Sequence, residues 1–114
     1  MAHEATEELL SGENPPTAVF AAQNLITIGA VAALRARGLQ HSVALVGFDD
    51  LTLADAVDPG LTVVAQDASG IGRAAAELLF DRLNGGGERP ARTVVVPTTL
   101  IARGSGELAP AAAA

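Results

Sequence analysis

Three apolar segments of the sequence each run directly into a pair of polar residues, and these pairs carry the side chains best suited to binding chemistry. The pairs are Gln23-Asn24, Asp49-Asp50 and Gln66-Asp67. Amides donate and accept hydrogen bonds and carboxylates accept them, so the group suits a small neutral ligand with several hydroxyl groups. A sugar or a nucleoside is the natural class of ligand for such a set.

Each pair also has a simpler interpretation. Asn24 and Asp67 stand where a helix is expected to begin, and both residue types are favoured N-caps. Asp50 is interpreted as pointing to water. Ligand contact therefore remains the alternative at these positions, whereas we predict Gln23, Asp49 and Gln66 to be the ligand-binding residues.

The pairs are expected to converge because of the elements that precede them. Apolar runs predict strands at residues 17–22, 43–48, 61–65 and 93–96, with 98–102 continuing the last strand after Pro97, and helices over 25–37 and 69–83. Strands that alternate with helices indicate an α/β fold, in which flanking helices cover a parallel sheet. Ligands of such sheets bind beyond the carboxyl ends of the strands.

The ends of the chain differ in composition from its centre. Residues 1–16 contain a short amphipathic stretch and then a breaker run, which predicts a helix remnant followed by a loop. Residues 105–114 are rich in Gly, Ala and Pro and predict a disordered tail. The region between them, 17–104, is therefore the expected folded part.

Composition excludes several classes of function. The chain has 114 residues, 13 acidic and 7 basic, with a net charge of −6 and no cysteine. A chain this acidic is a poor binder of nucleic acid on its own, and it has no thiolate for a metal or a disulfide. No apolar run approaches the length of a membrane span, and the acidic start is unlike a secretory signal. We expect a cytoplasmic protein without metal, cofactor or membrane contact.

Two patterns in the sequence suggest an enzyme, but neither meets the requirements of its site. The segment 70–75 fits the dinucleotide-binding pattern G-x-G-x-x-A, but four residues separate it from the preceding strand and no acidic residue ends the next one. Asp49 and Asp50 are a carboxylate pair, yet neighbours at a strand end point in different directions, and no general acid accompanies them. We therefore predict no enzyme activity.

Several segments resemble one known family. They are residues 16–24 with Gly29-Ala30, the run Val-Gly-Phe-Asp-Asp at 46–50, Pro59 with Leu-Thr-Val-Val at 61–64, Gln66 and Gly72. Together they are similar to the carboxyl-terminal part of the effector-binding domain of LacI/GalR (lactose/galactose repressor) family transcriptional regulators. The resemblance runs from about Pro15 to Arg103, over nearly all of the expected folded part.

The resemblance implies part of a periplasmic-binding-protein-like (type I) fold, an incomplete two-lobed domain that closes on a sugar or related metabolite. Residues 17–61 and 93–103 would belong to the second lobe, and 62–92 would return to the first. Asp49 falls on the family's ligand-contacting aspartate and Gln66 on the crossing between lobes. Gln23 stands where the family usually has a contacting asparagine, so the resemblance does not imply which ligand is bound.

The function implied is that of a fragment of the sugar-sensing or metabolite-sensing domain of a LacI-type regulator. Its contact with DNA would run through a helix-turn-helix that is not in this sequence. The alternative is a fragment of a periplasmic sugar-binding transport receptor, and a third possibility is a fragment that binds nothing. Helix 69–83 would expose apolar surface if most of the first lobe were missing, which favours aggregation.

The helix at 25–37 has a wider apolar surface than one sheet contact requires. This surface contains Leu25, Ile26, Ile28, Val31 and Leu34. Burial within the same chain is one interpretation. A contact between two copies is the other, because family members pair through helices of this lobe, and it predicts a homodimer with two-fold symmetry.

Overall fold

The computed structural model describes residues 1–111. It contains three α-helices and four strands: α1 Ala2–Leu10, β1 Ala18–Ala21, α2 Asn24–Ala36, β2 Ala44–Phe48, β3 Thr62–Ala65, α3 Ala68–Asp81 and β4 Thr99–Ile101. The chain divides into two compact units, the first made of Met1–Ala65 with the residues from Thr99 onward, and the second made of Gln66–Thr98. The α/β fold predicted from the sequence is confirmed.

The sheet lies in the first unit and has the strand order β1-β2-β3-β4. β1 and β2 are parallel, with Ala21 opposite Gly47, and β2 and β3 are parallel, with Phe48 opposite Val64. The helix α2 connects β1 to β2, as expected for parallel neighbours. These three strands follow the sequence prediction to within one residue at each end.

The last predicted strand is confirmed only in its second part, 98–102, and its direction differs from the parallel sheet expected. Residues 93–96 form no strand, although Thr-Val-Val-Val has a high strand propensity. β4 comprises Thr99–Ile101, within the predicted range 98–102, and pairs with β3 in the antiparallel direction, with Val63 opposite Ile101. The strand prediction for 93–96 is therefore wrong, because propensity without a pairing partner does not make a strand.

The helix α2 ends as its sequence predicts. Gly38 has φ = 66°, the left-handed conformation that glycine adopts easily. Its N–H donates to the carbonyl of Arg35, and the N–H of Leu39 donates to the carbonyl of Leu34. This pair of hydrogen bonds is the Schellman motif, which satisfies carbonyl groups that the helix leaves free.

The core of the first unit lies between the sheet and its helices. Buried residues from α1, α2, the three parallel strands and the loop before β3 form one cluster: Leu10, Ala21, Ala30, Leu34, Val43, Leu45, Ala54, Leu61 and Val63. The helix α1 packs closely on α2 at Gly29, where a Cβ atom would come within 2.6 Å of the Cβ of Ala2. The amino-terminal helix remnant is thus a part of this core.

Residues 103–107, named here the C-terminal clasp, are held by hydrogen bonds to the sheet. The N–H of Leu45 donates to the carbonyl of Ser105 at 2.8 Å, and the N–H of Ser105 donates to the carbonyl of Gly60 at 2.9 Å. The carboxylate of Glu107 accepts the hydroxyl of Thr62. The disordered tail predicted from residue 105 is therefore wrong for residues 105–107, and its last part, 112–114, lies outside the described residues.

The second unit consists of α3, the turn that follows it and an extended segment. None of the residues of α3 is buried, and its side chains Leu79 and Phe80 are exposed, as is Leu83 just after the helix. The helix ends at Asp81. A wider helical turn, Arg82–Gly86, follows it directly, and in this turn Gly85 has φ = 101°. The predicted tendency of this helix to aggregate stays a prediction.

Candidate functional site

Gln23 and Asp49 occupy equivalent positions at the ends of two neighbouring strands. Gln23 follows Ala21 by two residues, Asp49 follows Gly47 by two residues, and Ala21 and Gly47 are opposite each other in the parallel pair. Neighbouring strands lie about 4.8 Å apart. Their register thus brings these two predicted residues to the same edge of the sheet, the edge where ligands of α/β folds bind.

The position of Gln23 depends on the close packing of α2 against β2. Gln23 is the N-cap of the helix, and its carbonyl accepts the N–H and the hydroxyl of Thr27. Thr27 is fully buried on Gly47, where an added Cβ would lie 2.7 Å from the threonine hydroxyl. Glycine at this strand position therefore lets the first turn of α2 lie directly on β2, which fixes the end of β1.

Asn24 does not have the role predicted for it. It is the first residue inside α2, one position after the N-cap, and its Oδ1 accepts the N–H of Leu25 at 2.8 Å. The predicted cap Asp67 is confirmed, because its Oδ1 accepts the N–H of Gly70 at 2.8 Å. Both residues serve local backbone structure.

Asp49 is held in an unusual backbone conformation. Its φ is 71°, in the left-handed region that residues other than glycine seldom adopt, although aspartate tolerates it better than most. Its N–H donates to the carbonyl of Val64 at 3.0 Å, which ties the end of β2 to β3. The side chain is half-buried. Such conformations are frequent at binding sites, where the surrounding structure must hold them in place.

Asp50 is paired with Arg103, a residue that the sequence did not single out. Nη1 and Nη2 of the arginine lie 2.7 and 2.9 Å from Oδ1 and Oδ2 of the carboxylate. This bidentate geometry is the strongest form of an ion pair between arginine and a carboxylate. Asp50 is exposed, as interpreted from the sequence, but its carboxylate also binds Arg103. The partners are 53 positions apart in the sequence, which explains why no local pattern reveals the pair.

The ion pair changes the titration of both partners. The hydrogen bonds from Arg103 lower the pKa of the Asp50 carboxyl below its ordinary value of 3.8, and the same contact raises the pKa of the guanidinium. A carboxyl whose pKa is depressed in the folded state stabilises that state above its unfolded pKa. The contribution disappears as the pH falls through the folded pKa.

We therefore expect Asp50→Asn to destabilise the protein at neutral pH and to have little effect in strong acid. The difference in free energy of unfolding between wild type and variant should shrink as the pH falls below the ordinary carboxyl pKa and through the lowered pKa of Asp50, because protonation removes the charge that the variant lacks. Urea unfolding at a series of pH values measures this. A difference that is constant across the range would contradict the prediction, and Glu13→Gln, at an exposed acid in the loop between α1 and β1, provides the control.

Gln66 directly follows β3 and is exposed. It is the first residue of the second unit, so its place beside Gln23 and Asp49 stays a prediction. Within residues 1–111, no group of three or more acidic or histidine side chains is arranged to hold a metal ion. None of the helices in that range is long and apolar enough to span a bilayer.

Comparison with known proteins gives the same family as the sequence resemblance. The family described as periplasmic binding protein-like domain matches residues 1–106. The HTH-type transcriptional regulator CelR of Thermobifida fusca is 41% identical over 104 residues, which are 90% of this chain and 30% of that protein. The HTH-type transcriptional repressor CytR of Escherichia coli K12 is 37% identical over 83 residues, which are 71% of this chain and 24% of that protein.

A solved structure of the transcriptional regulator CelR in complex with cellobiose is similar in fold, with a TM-score of 0.81 and 40% identity. The similarity covers 92% of this chain and 32% of that chain. The chain thus spans about a third of the length of these relatives or less. It belongs to the periplasmic binding protein-like domain family, and it matches part of the effector-binding domain of LacI-family transcriptional regulators.

Proposed function

We propose that this chain is part of the sensing domain of a LacI-type transcriptional regulator and that it binds a sugar or nucleoside effector through Gln23, Asp49 and Gln66. The observation that carries the proposal is the register of β1 and β2, in which Gln23 and Asp49 follow paired residues by the same number of positions. An amide and a carboxylate side by side suit the hydroxyl groups of a sugar, which both donate and accept hydrogen bonds.

The comparison with CelR supports the class of ligand. That regulator has been solved with cellobiose bound, and it is similar to this chain over most of the chain's length. A disaccharide of glucose is therefore the first candidate to test. Pentoses, other hexoses and nucleosides follow, because Gln23 differs from the asparagine usual in the family.

The proposed mechanism is a shift of population between two arrangements of a two-lobed domain. A ligand that is held better in one arrangement favours it by the difference in binding free energy. That preference would change the affinity of separate DNA-binding heads for their operator. This chain would contribute one side of the ligand site. Because the chain is acidic and binds DNA poorly by itself, the contact with DNA would be made by the helix-turn-helix.

The same proposal covers location and partners. A regulator that acts on DNA works in the cytoplasm, and its partners are the effector, DNA through the helix-turn-helix, and a second copy of itself. It needs no cofactor, no membrane and no catalytic step. The relatives described above are transcriptional regulators, which favours this role over a transport receptor. A helix-turn-helix encoded upstream would support the regulator, and an upstream signal peptide would support the receptor.

The experiment that tests the binding proposal is a titration followed by NMR. Amide shifts of the labelled chain are recorded as cellobiose, glucose, ribose and a nucleoside are added separately, because NMR detects the weak affinity expected when part of the site is absent. We expect one class of ligand to move the amides near Gln23 and Asp49. Sorbitol, a polyol without a ring, is the matched control ligand.

Two outcomes would overturn the binding proposal. One is the absence of any ligand-dependent shift at high concentrations of every sugar and nucleoside. The other is a set of shifts that maps away from the strand ends, for example to α3, since such binding would use none of the proposed residues.

A second part of the proposal concerns the partner copy. Leu25, Ile26 and Ile28 on α2 are exposed, although the buried face of the same helix is filled by Thr27, Ala30, Ala33 and Leu34. Leu53 extends this surface: it is 69% exposed, has φ = 66°, and lines the same apolar depression as Ile28. An exposed leucine in a left-handed conformation costs free energy that burial against a second copy would offset.

We therefore expect Ile28→Glu to produce monomers. A charge at the centre of a symmetric apolar interface meets its own copy across the two-fold axis. This weakens association by about 3 kcal/mol. Light scattering measures the mass of each variant. Leu9→Glu on α1, which is exposed to a similar degree, is the control and should leave the mass unchanged. A monomeric wild type, or a dimeric Ile28→Glu, would contradict the homodimer.

A further inference from the structure

The ion pair between Asp50 and Arg103 has features that a surface ion pair lacks. The Arg103 side chain is 19% exposed, whereas Arg89, which pairs with Asp81, is 67% exposed. Both nitrogens of the Arg103 fork contact the carboxylate. An arginine that is largely withdrawn from solvent loses little side-chain freedom when its partner binds, so its ion pair constrains the partner more than an exposed pair does.

Arg103 is itself anchored to the start of β3. Its Nη1 also donates to the carbonyl of Leu61 at 3.1 Å, and its backbone N–H donates to the hydroxyl of Thr62 at 3.0 Å. Thr62 is buried and accepts the N–H of Gly106 from the same clasp. The position of the guanidinium is therefore set by the sheet and the C-terminal clasp.

The other end of the ion pair is fixed to the backbone that follows Asp49. Oδ1 of Asp50 accepts the N–H of Leu51 at 2.8 Å in addition to the contact with Arg103. On the other side, the N–H of Asp49 donates to the carbonyl of Val64. The residue with φ = 71° thus lies between two attachment points, one to β3 through its own amide and one to Arg103 through its neighbour.

We propose that Arg103 is a positioning residue for the ligand site: by holding Asp50, it keeps the turn at Asp49 in its left-handed conformation and so fixes the direction of the Asp49 carboxylate. Arg103 also offsets the charge of Asp50. The effect on ligand binding rests on the proposed function, whereas the effect on the backbone does not.

The test measures the backbone and the ligand separately. Amide hydrogen exchange at Asp49 reports opening of the turn in the absence of any ligand. Its intrinsic rate depends on the side chains of residues 48 and 49, which the substitutions leave unchanged. We expect Arg103→Gln and Asp50→Asn each to speed exchange at Asp49 by about tenfold, as expected when a well-ordered ion pair no longer opposes local opening. Arg103→Lys keeps the charge without the fork and should restore part of the protection.

The matched control is Arg89→Gln, which removes the exposed ion pair with Asp81 and should leave exchange at Asp49 unchanged. The amide of Val46, in the middle of β2, serves as the internal reference for global stability. Unchanged exchange at Asp49 in folded Arg103→Gln would overturn the positioning role. If Arg103→Gln does not fold, Asp50→Asn decides in the same way, because its shape is close to that of the native residue.

The ligand measurement then separates the two proposals. Weaker binding in Arg103→Gln together with faster exchange at Asp49 supports both. Faster exchange with unchanged binding of the same sugar in both Arg103→Gln and Asp49→Ala supports the hold on the turn and overturns the ligand role of Asp49. Weaker binding in Arg103→Gln with unchanged exchange overturns positioning through the turn.

Discussion

Replacement of Ser105 by alanine is expected to lower the free energy of unfolding by about 2–4 kcal/mol, because two buried hydrogen bonds are lost at once. The hydroxyl of Ser105 donates to the carbonyl of Leu45 at 2.6 Å and accepts the N–H of Thr62 at 2.9 Å. Ser105 is 3% exposed, so water cannot replace the hydroxyl without rearrangement. Small domains are stable by only about 5–15 kcal/mol, and this loss is a large part of that.

Urea unfolding followed by circular dichroism measures the change, with Ser42→Ala as the control. Ser42 is exposed and lies just before β2, so its replacement is expected to stay within about 0.5 kcal/mol of the wild type. Gly106→Ala tests the same contact between the clasp and β3. It is also expected to lower the free energy of unfolding, because an added Cβ would lie 2.8 Å from Cγ2 of Thr62. Equal stability of Ser105→Ala and Ser42→Ala would show that the clasp does not hold β2 and β3 together.

The importance of Ser105 illustrates what sequence patterns cannot show. A Gly-Ser-Gly run with a polar neighbour is typical of disorder because it has few apolar groups to bury. Here the run is ordered by backbone groups, since the clasp bonds to Leu45, Gly60 and Thr62, which lie more than 40 positions earlier in the chain. Hydrogen bonds to distant backbone groups leave no trace in composition.

The predictable part of the fold consists of elements whose causes are local. The helices α2 and α3 were found because apolar residues recur at helical spacing between a capping residue and a glycine. The parallel strands β1 to β3 were found because each is a short apolar run between helices or turns. Residues 93–96 have the same composition as those strands, yet β4 comprises Thr99–Ile101. Composition predicts that a segment can be a strand, and pairing decides whether it is one.

The predicted site also has a part that can be predicted from the sequence and a part that cannot. That polar residues follow the strands is visible in the sequence, and the fold class then places Gln23 and Asp49 at one edge. The left-handed backbone of Asp49 and the ion pair between Asp50 and Arg103 are not visible in the sequence, and the partners of the pair are 53 positions apart. A single sequence can therefore predict which strand ends form a site, but it cannot predict the geometry of the side chains there.

Replacement of Asp49 by alanine is expected to weaken the binding of a sugar effector by about tenfold to a hundredfold, the effect of removing a charged hydrogen-bond acceptor from a hydroxyl group. The left-handed backbone adds to the argument: alanine tolerates φ = 71° less well than aspartate, so the turn relaxes as well. Asp49→Asn separates the two causes. It keeps a residue that accepts this backbone conformation and removes only the charge.

The order of affinities then distinguishes the role of the carboxylate from that of the turn. If the charge matters, Asp49→Asn binds the sugar clearly less well than the wild type, and Asp49→Ala binds it least. If only the turn matters, Asp49→Asn binds as the wild type does. Asp55→Ala changes the net charge of the chain by the same amount as Asp49→Ala, in the exposed loop that follows β2. It should leave the affinity unchanged, because long-range attraction between an acidic surface and a neutral sugar is weak. Equal binding by wild type, Asp49→Asn and Asp49→Ala would remove Asp49 from the site altogether.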